Sequence, residues 1–347
     1  MRQIKVFIID DSAIYRKVLR NIIDEDPGLV CIGYATDGIS AIQKLKHIKP
    51  DIVTLDIEMP NMGGLETLAH IMSTDPTPVL MVSAYTTDGA NVTLRALELG
   101  AIDYLLKPDS NNQKDIEVFK EELVIKLNVF TEIKIPGIFK SKKARDQHLK
   151  EVKILKKEKD KKLYKYVAIG SSTGGTVALS KILPKINKEI QASIFVVQHM
   201  PKLYTNSFAE RLNTICPHDV KEAADNDKIE PGHIYIAQGD KHMEIDGNVI
   251  RLSDKEHVNG HRPSIDVFMN SISQQFGNKT CGVILTGMGR DGANGIEQIK
   301  DAGGFTIAQD KETSVIYGMP KAAKNTGKID AVLPLDLIPE QVNSLFD

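Results

Sequence analysis

The sequence predicts an α/β protein: two doubly wound units joined by a lysine-rich linker. Three observations carry that expectation. Residues 3–130 alternate short apolar runs with amphipathic stretches. The same alternation resumes at Tyr166 and continues to the end of the chain. Between them, residues 140–165 hold 12 Lys/Arg against 4 Asp/Glu, a local balance of +8, with no glycine or proline. Regular strand–helix alternation argues for parallel sheets covered on both faces. A charge run of this kind reads as a solvated linker. The expected units are 1–125, a linker over 126–165, and 166–347.

In the first unit the strand candidates are Lys5–Ile9, Val30–Ala35, Ile52–Asp56, Val79–Ser83 and Asp103–Leu106. Helical periodicity lies between them, as in Ile14–Asp24 and Thr93–Leu99. In the second unit they are Tyr166–Ile169, Ser193–Val197, Ile234–Ala237, Cys281–Leu285, Phe305–Ala308 and Ala331–Leu333. "MEIDGNVIRL", 243–252, alternates apolar and polar residues around Asp-Gly-Asn and predicts a small antiparallel hairpin.

The totals exclude several classes. A net charge of -2 and the absence of tryptophan argue against a nucleic-acid partner. The longest apolar runs, such as "SIFVV" at 193–197, are strand-sized, so membrane insertion is not expected. The chain opens directly into "IKVFIID", without a signal-peptide pattern, and a cytoplasmic location is expected. Its 3 cysteines form no C-x-x-C pair and its 9 histidines no H-E-x-x-H, so neither a disulfide framework nor a zinc site is expected.

Chemistry concentrates first where strands of the first unit end. "FIIDDS" delivers Asp10 and Asp11, "IVTLDIEMPNMGG" delivers Asp56, "VLMVSAY" delivers Ser83, and "DYLLKP" delivers Lys107. Strand C-termini of an open parallel sheet face one crevice. Three carboxylates there suit Mg²⁺, which takes hard oxygen ligands and keeps several waters. A lysine beside them holds a phosphoryl oxygen, and phosphoryl transfer to a carboxylate fits the set. An acid after a strand is by itself an ordinary N-cap; it is the group of five that points to chemistry.

On these motifs residues 3–125 resemble a response-regulator receiver domain. The resemblance implies that Asp10 and Asp11, with Asp56, hold Mg²⁺ and that Asp56, in "DIEMPNMGG", is phosphorylated. It makes Ser83 and Lys107 the groups that sense the phosphate and Tyr104 the aromatic switch residue. It also implies a cis Lys107–Pro108 peptide.

The second unit opens on "YVAIGSSTGG", 166–175. A glycine-rich strand-to-helix turn binds phosphate readily, but G-x-x-x-x-G-K-[ST] and G-x-G-x-x-G are both absent. G-x-S-x-G is present as Gly170, Ser172 and Gly174, the spacing that exposes a nucleophilic serine on a tight turn. A serine N-cap explains the same five residues. A nucleophile needs a base and an orienting acid. "SIFVVQHMP" releases His199 after a strand, and "CGVILTGMGRDGANG" delivers Asp291. Asp240 and His242, and His261 and Asp266, are rivals that could serve binding or packing. The order Ser–His–Asp differs from the Ser–Asp–His order of the α/β-hydrolase fold.

"AIGSSTGG", "VVQHMP", "PGHIYIAQGDKHM", "HRPSIDVFMNS", "ILTGMGRDGANG" and "VIYGMPKAA" make residues 166–345 resemble the catalytic domain of the chemotaxis-specific protein-glutamate methylesterases, the CheB family. Ser171 and Gln238 stand where that family is expected to have an alanine and a proline. The resemblance implies a catalytic triad of Ser172, His199 and Asp291, with the amides of Thr173 and Met288 as oxyanion donors. It implies a phosphorylation-activated hydrolase of glutamate γ-methyl esters, with glutamine deamidation as the same step on an amide. It needs no cofactor for ester hydrolysis. Methyl-accepting chemotaxis receptors are the implied substrate and a chemotaxis histidine kinase the phosphodonor. The alternative is a phosphorylation-controlled binding protein without catalysis.

Overall fold

In the computed structural model, which describes residues 2–84, 87–108, 112–130 and 164–346, the chain divides into two units, Met1–Gly137 and Ile138–Asp347. The first alternates β1 (Ile4–Ile9), α1 (Ala13–Glu25), β2 (Leu29–Ala35), α2 (Gly38–Leu45), β3 (Ile52–Asp56), α3 (Gly64–Thr74), β4 (Val79–Ser83), α4 (Thr87–Glu98), β5 (Asp103–Leu106) and α5 (Gln113–Phe130). All pairings in its sheet are parallel, in the order β2-β1-β3-β4-β5. Every residue of β3 and β4 is buried, as expected of strands covered on both faces. Strand order reverses between β1 and β3, which opens a crevice beyond their C-terminal ends. Ser12 and Asp37 cap α1 and α2 by accepting from the amides of Tyr15 and Ser40.

The expected limit at residue 125 falls inside α5, where Leu123 and Leu127 are fully buried. The apolar period of the helix outlasts the point at which the linker was expected to begin. Residues 131–163 of that linker lie outside the described residues.

The second unit contains β6 (Tyr166–Ser171), α6 (Gly175–Ile182), β7 (Ser193–Gln198), α7 (Lys202–Ile215), β8 (Asp219–Glu222), β9 (His233–Ile236), β10 (His242–Asp246), β11 (Val249–Ser253), α8 (Ile265–Phe276), β12 (Thr280–Ile284), α9 (Ala293–Asp301), β13 (Phe305–Gln309), α10 (Met319–Asn325), β14 (Ala331–Leu333) and α11 (Ile338–Phe346). Seven parallel strands run in the order β14-β13-β12-β6-β7-β9-β8, and β10 and β11 form the separate antiparallel hairpin. β6 lies between β12 and β7, so loops leaving these three strands emerge side by side. β8 was not anticipated: "DVKE" has one buried residue and sits at the sheet edge, where no apolar run is needed.

α8 presents Ile265, Phe268, Met269 and Ile272 to the core at helical spacing. Phe268 meets Phe195 of β7, which stacks in turn on Tyr235 of β9, with ring centroids 5.5 Å apart in both pairs. Each such ring buries roughly 150–250 Å², and together they lock the start of α8 against the sheet. Among the described residues no helix is long and apolar enough to cross a membrane.

Candidate functional site

In the first unit the crevice gathers the expected charges. Lys107 Nζ lies 2.6 Å from Asp56 Oδ2 and 2.9 Å from Asp10 Oδ2. Asp10 Oδ1 accepts from the Ser12 amide at 2.8 Å, and Asp56 Oδ1 from the Ile57 amide at 2.7 Å. Burial pushes the Asp56 carboxyl above the ordinary carboxylate range; Lys107 opposes the shift without cancelling it. For Lys107 burial favours the neutral amine, but Asp56 and Asp10 outweigh it and raise its pKa. Asp10, Asp11 and Asp56 each offer a carboxylate oxygen within 4.8 Å of the others, with Asp11 exposed. An all-oxygen set open to water on one side fits Mg²⁺.

Ser83 is buried at the end of β4, its hydroxyl donating to the Ala84 carbonyl at 3.1 Å. Tyr104 is buried on β5. Arg16 was missed by the sequence reading: its Nη1 donates to the carbonyls of Asp10 and Asp11, at 2.8 Å each, and braces the acidic turn. Lys107–Pro108 is trans, contrary to expectation; among the described residues the cis peptide is Arg262–Pro263. The trans form is the ordinary one even before proline, by about 0.5–1 kcal/mol.

In the second unit Ser172 follows β6 directly. Its amide donates to the Thr286 carbonyl at 3.1 Å, and its carbonyl accepts from the Gly175 amide at 2.7 Å. Gly174 has φ 77, and a side chain there would also strike Val315, so the turn requires glycine. A Cβ on Gly287 would stand 2.9 Å from Ser172 Cβ, which puts the loop carrying Met288 against the serine.

Two buried side chains that the sequence reading passed over hold this turn. Gln198 Nε2 donates to the carbonyls of Ser172 and His199 at 3.0 Å each, while its Oε1 accepts from Ser171 Oγ at 2.7 Å. The serine in place of the expected alanine at 171 therefore has a defined partner. Thr286 Oγ1 donates to the Thr173 carbonyl at 3.0 Å and accepts from the Ile316 amide at 2.9 Å.

His199 follows β7, and its Nε2 lies 2.9 Å from Asp291 Oδ2. Its Nδ1 is buried without a hydrogen-bond partner. Asp291 sits at the N-terminus of α8. Oδ2 also accepts from the Ile265 amide at 2.7 Å; Oδ1 accepts from Ser264 Oγ at 2.9 Å, the Asp266 amide at 3.1 Å and Asn259 Nδ2 at 3.2 Å. Burial works against the charge on Asp291, but His199 and the two helix-terminal amides outweigh it and hold the carboxyl far below the ordinary range.

The rivals are placed otherwise. Asp240 is exposed and pairs with Arg262 at 2.6 Å. His242 lies beneath the site: Nδ1 accepts from the Ser264 amide at 3.2 Å, so Nε2 carries the proton and donates to the Glu256 carbonyl at 2.9 Å. Asp266 accepts from the Gly295 amide at 2.7 Å, and burial pushes its carboxyl up. His257 and His261 stand four residues apart but flank a turn rather than share a helix face. Among the described residues only the Asp10–Asp11–Asp56 group has metal-ligand geometry.

Residues 167–342 match the family model for CheB methylesterase, and residues 6–116 match that for the response regulator receiver domain. The chain belongs to the CheB methylesterase family. The protein-glutamate methylesterase/protein-glutamine glutaminase of Pyrococcus horikoshii is 46% identical over 351 residues, covering 98% of this chain and 93% of the relative. The relative of the same name from Thermotoga maritima is 41% identical, with 99% of each chain covered. The crystal structure of the Thermotoga maritima CheB methylesterase catalytic domain is 42% identical, covers 52% of this chain and 98% of that one, and superposes with a TM-score of 0.51.

Proposed function

We propose that this protein is a phosphorylation-controlled protein-glutamate methylesterase that works through Ser172, His199 and Asp291, and that it also deamidates glutamine. The observation that carries the reading is the buried His199–Asp291 pair, one strand away from a serine held on a glycine turn. Ser172 Oγ attacks the carbonyl carbon of a glutamate γ-methyl ester. His199 Nδ1 takes the hydroxyl proton, and Nε2–H stays bound to Asp291. The imidazolium so formed is stabilised by a carboxylate that His199 itself and the two helix-terminal amides keep ionised. The amides of Thr173 and Met288 receive the oxyanion, and one such donor is worth about 10²–10³ in rate. The tetrahedral intermediate then expels methanol, which takes the proton from Nδ1. Water, activated by the same nitrogen, hydrolyses the acyl-serine and regenerates the hydroxyl. With a glutamine amide the leaving group is ammonia and the steps are otherwise the same.

In the first unit Asp56 is the phosphoryl acceptor. Asp10, Asp11 and Asp56 would hold Mg²⁺, which neutralises charge on the transferring group. Lys107 binds a phosphoryl oxygen, and Ser83 and Tyr104 respond to it. The substrates on this reading are methyl-accepting chemotaxis receptors, the phosphodonor is a chemotaxis histidine kinase, and the setting is the cytoplasm. The test is methanol release from methylated receptor, with and without a small phosphodonor. Release that rises on phosphodonor addition supports the reading, and none under either condition sinks it.

A further inference from the structure

We propose that His261 is a positioning residue, whose ring stacks on His199 and fixes the plane of the imidazole that serves as base. The inference rests on the reading of His199 as that base. Asp291 holds a single atom of the ring, Nε2, at 2.9 Å, and Nδ1 has no partner. A ring held at Cγ by its own side chain and at Nε2 by one hydrogen bond can still rotate about the line through those two atoms, and that rotation swings the Nδ1 lone pair away from the serine proton. The His261 ring stops the rotation: the two centroids are 3.7 Å apart and the planes lie within 18° of each other.

The chain around His261 is built to present this face. The Val258 amide donates to the His261 carbonyl at 3.1 Å, and the His261 amide returns to the Val258 carbonyl at 3.0 Å. Between them Asn259 and Gly260 both have positive φ, 55 and 80, the backbone of a tight two-residue hairpin turn. Asn259 Nδ2 then reaches Asp291 Oδ1 at 3.2 Å and Asp266 Oδ2 at 3.0 Å. One turn thus grips the acid with one residue and the base with the other. The far side is anchored by Arg262, which donates to the Asp240 carboxylate at 2.6 Å and to the carbonyls of Asp254 and Lys255 at 3.1 Å each. His261 itself is half-buried, so core packing alone does not account for a ring at this position.

The test compares His261→Leu with His261→Phe in the full-length, phosphodonor-treated protein. Leucine fills the space without an aromatic face. Phenylalanine keeps the stack and offers its face to the imidazolium. We expect His261→Leu to lower kcat for methanol release about 10²-fold, the scale of a misplaced catalytic group, with KM nearly unchanged. His261→Phe should restore most of the loss, and Asn259→Ala should lower kcat in the same direction. Leu and Phe variants that lose equally, a Leu variant at the parent rate, or a change confined to KM would each overturn the stacking role. Should the leucine variant fail to fold, the phenylalanine variant decides: a parent-like kcat, together with a lowered one in Asn259→Ala, supports the role, and a hundredfold loss overturns it. A parent protein that releases no methanol, or Ser172→Ala at the parent rate, overturns the esterase reading and the stacking role with it. An active, Ser172-dependent parent indifferent to His261→Leu overturns the stacking role alone.

Discussion

Asp56 and Asp291 are both buried carboxylates at the C-terminal edge of a parallel sheet, yet they hold their protons in opposite ways. Asp56 sits beside Asp10, and its compensation is one ammonium, Lys107, and one backbone amide, that of Ile57. Burial wins there, and the carboxyl is pushed up. Asp291 faces four donors besides His199, three of them from the first turn of α8 and its cap. There the donors win, and the carboxyl is held down. On the proposed reading, in which Asp56 accepts a phosphoryl group and Asp291 orients His199, the difference follows from what each has to do. An acceptor of a phosphoryl group must become free to react and then carry a new load, so its charge is only partly satisfied. An orienting acid must stay ionised while its neighbour gains and loses a proton, so its charge is satisfied by fixed dipoles that need no rearrangement.

The sharpest way to break the comparison is to remove the chemistry from one side only. Ser172→Ala should lower kcat about 10⁶-fold, the scale of nucleophile loss in a serine hydrolase, while Asp56 still takes up phosphate from a small phosphodonor. Methanol release and phosphate incorporation, measured on the same preparation, check both halves. Esterase turnover near the parent rate would move the nucleophile elsewhere.

Asp291→Asn comes next. The amide keeps the shape but turns one acceptor into a donor facing helix-terminal N–H groups and favours the wrong tautomer of His199. A loss of about 10⁴ in turnover is expected. A loss under tenfold would show that Asp291 does not orient the base.

Asp56→Asn should leave basal hydrolysis intact and abolish its response to phosphodonor. Coupling between sites is typically 5–150-fold, and that is the size of the stimulation expected to disappear. Residual stimulation of the variant would place the acceptor on another residue.

The same two residues predict opposite effects on stability. Asp56 binds its proton more tightly folded than unfolded, so its contribution is full below the ordinary carboxylate range and is lost as pH rises through the folded pKa. Asp291 does the reverse: its contribution is present above the ordinary range and is lost as pH falls through its depressed pKa. At neutral pH, then, Asp56→Asn should raise Tm and Asp291→Asn should lower it, the latter through a loss of about 1–3 kcal/mol of stability for donors left unpaired. Thermal melts of the two variants at pH 7 check the signs, and shifts in the same direction would remove the electrostatic contrast.

Much of this was legible beforehand because it is carried by local pattern. Short, mostly apolar runs bounded by polar residues mark strands of a covered sheet, so β3, β4 and β5 have the limits expected from the sequence. The motif residues follow strands, and strand ends converge by topology alone. What stayed hidden depends on contacts distant in sequence. Asn259, Ser264, Ile265 and Asp266 reach Asp291 from 25 to 32 positions away, and nothing local marks a backbone amide as a charge donor. Gln198 lies one residue past the expected strand Ser193–Val197, and its partners are the end of β6, the turn after it and its own neighbour. Which nitrogen of His199 faces Asp291 is likewise a matter of ring orientation that no spacing encodes.

Ser171 supplies the smallest and most local test of how the second site is held. Its hydroxyl is fully buried and donates to Gln198 Oε1 at 2.7 Å. The other end of Gln198 binds the carbonyls that frame the nucleophile and the base. Ser171→Ala removes one donor and leaves Oε1 buried and unpaired, which costs about 1–3 kcal/mol. In a domain of this size that is a fall in Tm of about 2–4 °C per kcal/mol. Turnover should change little, since both donors of Gln198 Nε2 remain engaged and the serine turn keeps its amide bonds to Thr286 and Gly175. A variant that melts earlier but turns over at the parent rate would show that Gln198 is fixed from the Ser172 side. A large drop in kcat would show instead that the hydroxyl of Ser171 holds Gln198 in register, and that the site is aligned from one residue upstream of its nucleophile.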